Sequence, residues 1–277
     1  MTAVDAAIPT PTAAPTGDAL RARPGGFVHD TAAIAGRALR AVPRDLEVVI
    51  PPIFIALFFF VVNVATLGDL TERQLTGFDI KDFQIATAVL LGVTGVSRAG
   101  ALVLDVQDGY FDRLLLTPVR RLSILLGLMV ADVAVAAALT VPIIALGYGL
   151  GVRFEAGPLG VLGFMLLAAL WSLAFAGFGY AIALKTGNPA AVNSSFLLFF
   201  PFLFLTSSYV PRSQLSGWLD TVAGFNPVTY LLEGLRSLVI NGWEWDELGK
   251  ALVAIVVVGT ISMSLCFGAL RGRLRRG

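Results

Sequence analysis

Four stretches of this chain, Val48–Leu67, Leu159–Leu184, Ala190–Val210 and Ala251–Leu270, run for about twenty residues or more without a charge. Two others, Phe83–Leu104 and Leu122–Leu150, are interrupted only by Arg98 and Asp132. A helix needs about 20 apolar residues, rising about 1.5 Å each, to cross about 30 Å of hydrocarbon. The runs are continuously apolar and lack the period-two alternation of a membrane β-barrel. They predict an all-α, polytopic membrane protein with six transmembrane helices. Composition points the same way. Apolar residues make up 56% of the 277, charged residues 14%, and mean hydropathy is +0.81. That is more apolar surface than a soluble domain can cover. A single cysteine excludes a disulfide framework, and one histidine beside it argues against a zinc site. A net charge of +1 gives no reason to expect nucleic acid.

A seventh stretch, Trp218–Ile240, has a different character. Asp220, Glu233 and Arg236 lie in it, and Gly224, Asn226 and Pro227 interrupt it. Each charge would cost about 2.5–3.5 kcal/mol at bilayer depth, so a full crossing is not expected. Proline disfavours helix in the residue before it, which makes Asn226-Pro227 a chain break. Residues 218–240 are read as a broken segment, re-entrant or interfacial, packed where protein or water satisfies its backbone.

Lysine and arginine counts set the orientation. With both termini cytoplasmic, the inner segments hold thirteen of these residues and the outer segments six. Six crossings satisfy that bias, whereas seven would strand the Arg-rich tail, residues 271–277, outside. Residues 1–26 are Ala/Thr/Pro-rich and lack the apolar core of a signal peptide, so they read as a disordered cytoplasmic tail. Residues 27–46 set small apolar residues among Arg37, Arg40 and Arg44, the pattern of an amphipathic helix on the inner membrane surface with its arginines toward anionic lipid headgroups. Residues 47–270 form the transmembrane domain. No internal repeat is strong enough to indicate the inverted symmetry of a secondary transporter.

The loop between the second and third expected spans, residues 105–121, reads DVQDGYFDRLLLTPVRR. At helical spacing Phe111, Leu114 and Leu115 share one face, with Asp108, Asp112 and Arg113 elsewhere. This pattern fits a short helix seated in a partner's groove, or a solvated loop whose charges only set topology. The loop resembles that of the ABC type-2 permeases, in particular the daunorubicin-resistance-like exporters. Gly36–Asn63 is similar to their interfacial helix running into the first span, Ser207–Leu219 to their outer turn after the fifth, and Phe225–Gly242 to their Asn-Pro…Arg signature before the last. The likeness runs over roughly residues 30–270 with its landmarks in order. The acidic content of the loop is thinned to Asp105 and Asp108 in its first part, which leaves open which acid meets the partner.

The resemblance implies a non-catalytic permease subunit of an ABC exporter that dimerises in a bacterial plasma membrane. A separate cytoplasmic ABC ATPase would hold the ATP and Mg²⁺ and grip Asp108, Gly109, Phe111, Asp112, Arg113, Pro118 and Arg120. The chain contains no G-x-x-x-x-G-K-[ST], so it has no P-loop of its own and no bound cofactor is expected. The cargo expected from this likeness is amphipathic, drug-like or a lipid-linked metabolite. The resemblance also puts Asn226, Pro227, Tyr230, Glu233 and Arg236 at an outer gate. Glu233 and Arg236 stand three apart, the spacing of a helical ion pair. Arg98 and Asp132 are the charges inside the spans. Asp132 pairs with Arg98, faces a polar cavity or, on a rival reading as an ion-coupled secondary transporter, carries the coupling ion.

Overall fold

The computed structural model describes residues 26–44, 46–74, 79–109 and 121–274. Described are α1 (Phe27–Ala41), α2 (Leu46–Gln74), α3 (Ile80–Thr94), α4 (Ala99–Gln107), α5 (Arg121–Gly149) and α6 (Gly157–Thr186), followed by α7 (Pro189–Ser194), α8 (Phe199–Phe204), α9 (Trp218–Phe225), α10 (Pro227–Ile240) and α11 (Trp245–Leu274). Five segments are long and apolar enough to cross a membrane: Val49–Gly68, Ile80–Asp105, Leu122–Gly149, Gly157–Thr186 and Trp245–Arg273. The chain is thus a polytopic all-α membrane protein.

Two expected spans differ from continuous helices. Ala190–Val210 is assembled from α7, a 3₁₀ turn at Ser195–Leu198 and α8, and beyond residue 204 the helix stops. The helical stretch Pro189–Phe204 reaches about 24 Å, short of the hydrocarbon thickness. Phe83–Leu104 is divided at residues 95–98 into α3 and α4. Ser97 makes the second start possible, because its hydroxyl accepts the Ala99 N–H at 3.1 Å and caps α4.

Helix α3 is packed by α2, α5, α6 and α10. The span Ile80–Asp105 is mostly buried, whereas Val49–Gly68 is mostly exposed, its Phe54 and Phe58 facing outward. Ile85, Val89 and Leu90 of α3 meet Phe164 and Trp171 of α6 and Leu231 and Leu235 of α10 in the main core. A second core gathers Leu102, Ile124, Leu128, Tyr180 and Leu184. Helix α1 lies along α5, burying Ile34, Ala35 and Ala38. The approach is close enough that a Cβ on Gly127 would sit 2.7 Å from Ile34, so only glycine fits there.

The bundle has two distinct ends. At one lie α1, the end of α4 and the turn after α6, joined by a Gln107 Nε2 bond to Gly187 O at 2.9 Å. The C-terminal turn of α11 is there too, Arg273 donating to Leu184 O at 3.4 Å. At the other, Glu155 and Ala156 donate their N–H groups to Val239 and Leu238 carbonyls at the close of α10, at 3.0 and 3.2 Å.

Candidate functional site

The break at 95–98 is held by buried polar groups. Asp132 of α5 has no exposed surface. One carboxylate oxygen accepts the Arg98 backbone N–H at 2.9 Å, and the other accepts the Tyr180 hydroxyl of α6 at 2.6 Å. The sequence points to an Arg98–Asp132 partnership, and the structure makes it through the Arg98 main chain. That is the group a helix break frees, since the first N–H groups of α4 have no helical acceptor. Tyr180 is the member of this cluster that the sequence reading misses. A signal is nonetheless present, because a buried carboxylate needs donors and this phenol lies in a charge-free span.

Beside the break is a cavity of about 340 Å³, within the range of small-molecule sites. Pro51, Pro52 and Ile55 of α2, Leu91 of α3, Phe175 of α6, and Val192 and Phe196 form its apolar wall. Thr94, Ser97, Asn193 and Ser195 supply hydroxyl and amide groups, and among the described residues no charged side chain lines it. Asp132 is outside that lining, so it meets Arg98 rather than the cavity. Thr94 is fixed in turn, receiving the Trp171 indole N–H at 2.9 Å.

From this cavity α4 leads directly to residues 105–121. Asp105 is bonded by Arg37 of α1 at 3.0 Å. This corrects the expectation that the arginines of residues 27–46 all face headgroups: Arg37 is engaged by α4, while Arg40 and Arg44 are exposed. It also leaves Asp108, exposed just beyond α4, as the first acid open to a partner. Gly109 follows with φ +70°, a left-handed turn that glycine adopts without strain. Phe111, Asp112, Arg113, Pro118 and Arg120 lie outside the described residues.

The opposite end holds the other predicted cluster. The chain does break at Asn226, whose Oδ1 accepts the Val228 N–H at 3.0 Å and caps α10. Its Nδ2 donates to the carbonyls of Phe202 and Leu205 at 2.6 and 2.9 Å, stitching the break to the end of α8. Tyr230 donates to Gly224 O at 2.6 Å across the same break. The expected Glu233–Arg236 pair is not how either residue is used. Glu233 faces Arg212 at 3.8 Å, near the surface. Arg236 is buried, and donates to the carbonyls of Phe83, Ser207 and Ser208 at 3.1, 2.7 and 3.2 Å. It also donates to the Thr87 and Ser207 hydroxyls, with its guanidinium 3.3 Å from the Phe83 ring centre. Residues 205–210 follow neither helix nor strand, so their carbonyls need donors from elsewhere. A guanidinium with five N–H groups supplies them better than an ion pair would.

Comparison with known proteins places this geometry. Residues 30–240 match the family described as ABC-2 type transporter. A daunorubicin resistance ABC transporter permease protein of Streptomyces coeruleorubidus is 28% identical over 236 residues, covering 83% of this chain and 79% of that protein. A probable doxorubicin resistance ABC transporter permease protein of Mycobacterium tuberculosis is 26% identical over 219 residues, covering 78% and 79%. A putative transport permease of Pyropia yezoensis is 22% identical, covering 67% and 69%. With a matched region that takes in most of α1, the α3–α4 break, the loop and the Asn226 break together, the chain belongs to the ABC-2 type transporter family.

Proposed function

We propose that this chain is the membrane subunit of an ATP-driven exporter that carries an amphipathic, ring-bearing cargo out of a bacterial cytoplasm. A separate ATPase, holding ATP and Mg²⁺, docks at residues 105–121, and two permease copies surround the path amid membrane lipid. The observation that carries this reading is the continuity of α4: Ser97, which caps its first turn, lines the cavity, and its last residues begin the loop. A push on the loop therefore reaches the cavity without an intermediary. The apolar lining with hydroxyl and amide groups suits a flat apolar molecule bearing carbonyls or hydroxyls, and offers an ion no countercharge. The names of the two resistance relatives agree with such a cargo.

On this reading the α1 end faces the cytoplasm, and Arg40, Arg44, Lys185, Arg271 and Arg273 on it follow the positive-inside rule. The pieces α7 and α8, continued by residues 205–210, complete the sixth crossing, and α9 and α10 dip in from outside and return. Topology is tested with an impermeant maleimide on intact cells, in a chain whose only cysteine, the buried Cys266, is replaced by serine. Ser216→Cys labels and Asp108→Cys does not. Labelling of Asp108→Cys from outside overturns the reading. Cargo is tested with doxorubicin as the probe, in vesicles holding the permease and its ATPase. Accumulation requires ATP, and Asn193→Trp, placed at an exposed edge of the cavity, lowers it while the complex still assembles.

A further inference from the structure

Asp132 has a location that packing alone does not require. A carboxylate buried in apolar surroundings is destabilising unless its oxygens are used, and a well-packed apolar residue usually serves stability as well or better. Both of its oxygens are used here, and what they join is specific. Oδ1 holds the Arg98 N–H, at the last residue of the break in span two, and Oδ2 holds Tyr180 on α6. Three elements meet at one carboxylate: the start of α4, the middle of α5 and the later part of α6. The cavity wall is made by the neighbours of these residues, Gly95 and Ser97 on the break and Gly179 on α6. A Cβ on Gly179 would stand 3.3 Å from the Ser97 hydroxyl, so the turn and α6 are already in close contact.

The other end of α4 is held differently. Asp105 meets Arg37 in a partly exposed ion pair, and Gln107 reaches one backbone carbonyl at the surface. Helix α4 is thus pinned at Arg98, packed at its middle through Leu102 and Val103, and tied at its loop end, among the described residues, by partly exposed polar contacts. Nine residues of helix make a rod about 14 Å long, so a shift of about 2–3 Å at the loop end is a tilt of about 10°.

We propose that Asp132, with Tyr180, is the pivot on which α4 turns, a positioning residue that converts displacement of loop 105–121 into movement of the cavity wall at Gly95 and Ser97. The proposal rests on the exporter reading. Asp132 neither touches cargo nor conducts an ion. It fixes the point about which the rod rotates, so that a push at the loop is not lost as translation of the whole of span two.

The test uses the permease–ATPase complex in vesicles, with Asp132→Leu, Asp132→Asn and Tyr180→Phe. Two quantities are read: doxorubicin moved per ATP hydrolysed, and the ATP-driven change in distance between spin labels at the exposed positions Leu104 on α4 and Leu162 on α6. Asp132→Leu lowers the cargo-to-ATP ratio about tenfold and abolishes the distance change, while basal hydrolysis stays within about twofold. Tyr180→Phe, which loses one oxygen and keeps the ring, lowers the ratio about threefold. Asp132→Asn, which keeps an acceptor for Arg98, falls between wild type and Asp132→Leu. Loss of packing would lower assembly and hydrolysis together; a lost pivot lowers the ratio alone. If Asp132→Leu fails to assemble, Tyr180→Phe decides. An unchanged ratio and an unchanged distance response in Tyr180→Phe overturn the pivot even if the wild type exports doxorubicin. A wild-type complex whose α4 moves with ATP but which carries no doxorubicin overturns the cargo reading and leaves the pivot standing.

Discussion

The two ends of α3 each carry a buried charge, and they handle it in opposite ways. Near the α1 end Asp132 gathers two donors, one peptide N–H and one phenol. Near the far end Arg236 feeds three carbonyls and two hydroxyls and lies on an aromatic face. The carboxylate serves one freed N–H at the short break 95–98, flanked by helices whose backbones are otherwise bonded. The guanidinium sits among irregular chain, where it is the donor to Ser207 O and shares Ser208 O with the Thr87 hydroxyl. One charge is therefore replaceable for folding and the other is not, and this separates a device for movement from a device for holding shape.

The largest effect follows at Arg236. Each buried carbonyl left without a donor costs about 1–3 kcal/mol, so Arg236→Met is expected to lose about 3 kcal/mol or more. Thermal unfolding in detergent measures it. Arg236→Lys restores less than half, because an ammonium has three donors on a point charge and cannot span from α3 to residues 207–208 as the guanidinium does. If Arg236→Met unfolds no earlier than Asp132→Leu, the contrast between the two ends is wrong. Asn226→Ala comes next, at about 2 kcal/mol, because it removes a helix cap together with two donors to the close of α8.

Much of this far end is legible in the sequence, and the reason is local. Asn-Pro breaks a helix through the proline's own sterics, and the structure puts the break there. The partners are not legible, because they depend on what residues 205–210 need, and that need arises only once the chain there leaves the helix. The run Thr206-Ser207-Ser208 has the composition of a surface turn, yet all three residues are buried, with Thr206 bonded to Thr229. Arg236 answers to a tertiary shortage of donors rather than to the carboxylate three residues away. The same holds at the near end. The five long spans can be read from apolar runs interrupted by no charge or a single one, and the notch at 95–98 cannot. Gly95, Ser97 and Arg98 are each tolerable inside a helix, and the acceptor for the freed Arg98 N–H comes from Asp132 on another span. Polar residues in the fifth span, Asn193, Ser194 and Ser195, are likewise hidden by its apolar neighbours, though they accompany the change from α to 3₁₀ geometry.

A sign, more than a size, sharpens the near end. Removing Asp132 alone leaves a phenol and an N–H facing apolar surroundings, whereas removing both side chains of the pair leaves only the N–H. The double variant Asp132→Leu/Tyr180→Phe is therefore expected to be more stable than Asp132→Leu alone, with a net cost of about 1 kcal/mol against wild type. Denaturation of the two variants side by side decides it. A double variant less stable than the single one would mean that the hydroxyl has a second buried partner and that the carboxylate is structural after all.

The smallest effect belongs to the ion pair between Arg37 and Asp105. Its side chains are 42% and 25% exposed, so water and salt screen it, and such pairs contribute about 0.2–1 kcal/mol. A double-mutant cycle with Arg37→Ala and Asp105→Ala is expected to give a coupling in that range that shrinks as salt is raised. The exchange Arg37→Asp/Asp105→Arg should recover most of it. This weakness matters to the contrast between the two ends, because a rod that pivots must be held loosely where it is pushed. A coupling well above about 1.5 kcal/mol, insensitive to salt, would fix α4 to α1 as firmly as Asp132 fixes it at Arg98. Helices α1 and α4 would then move only as one body, and the light grip at the loop end that lets α4 tilt would not exist.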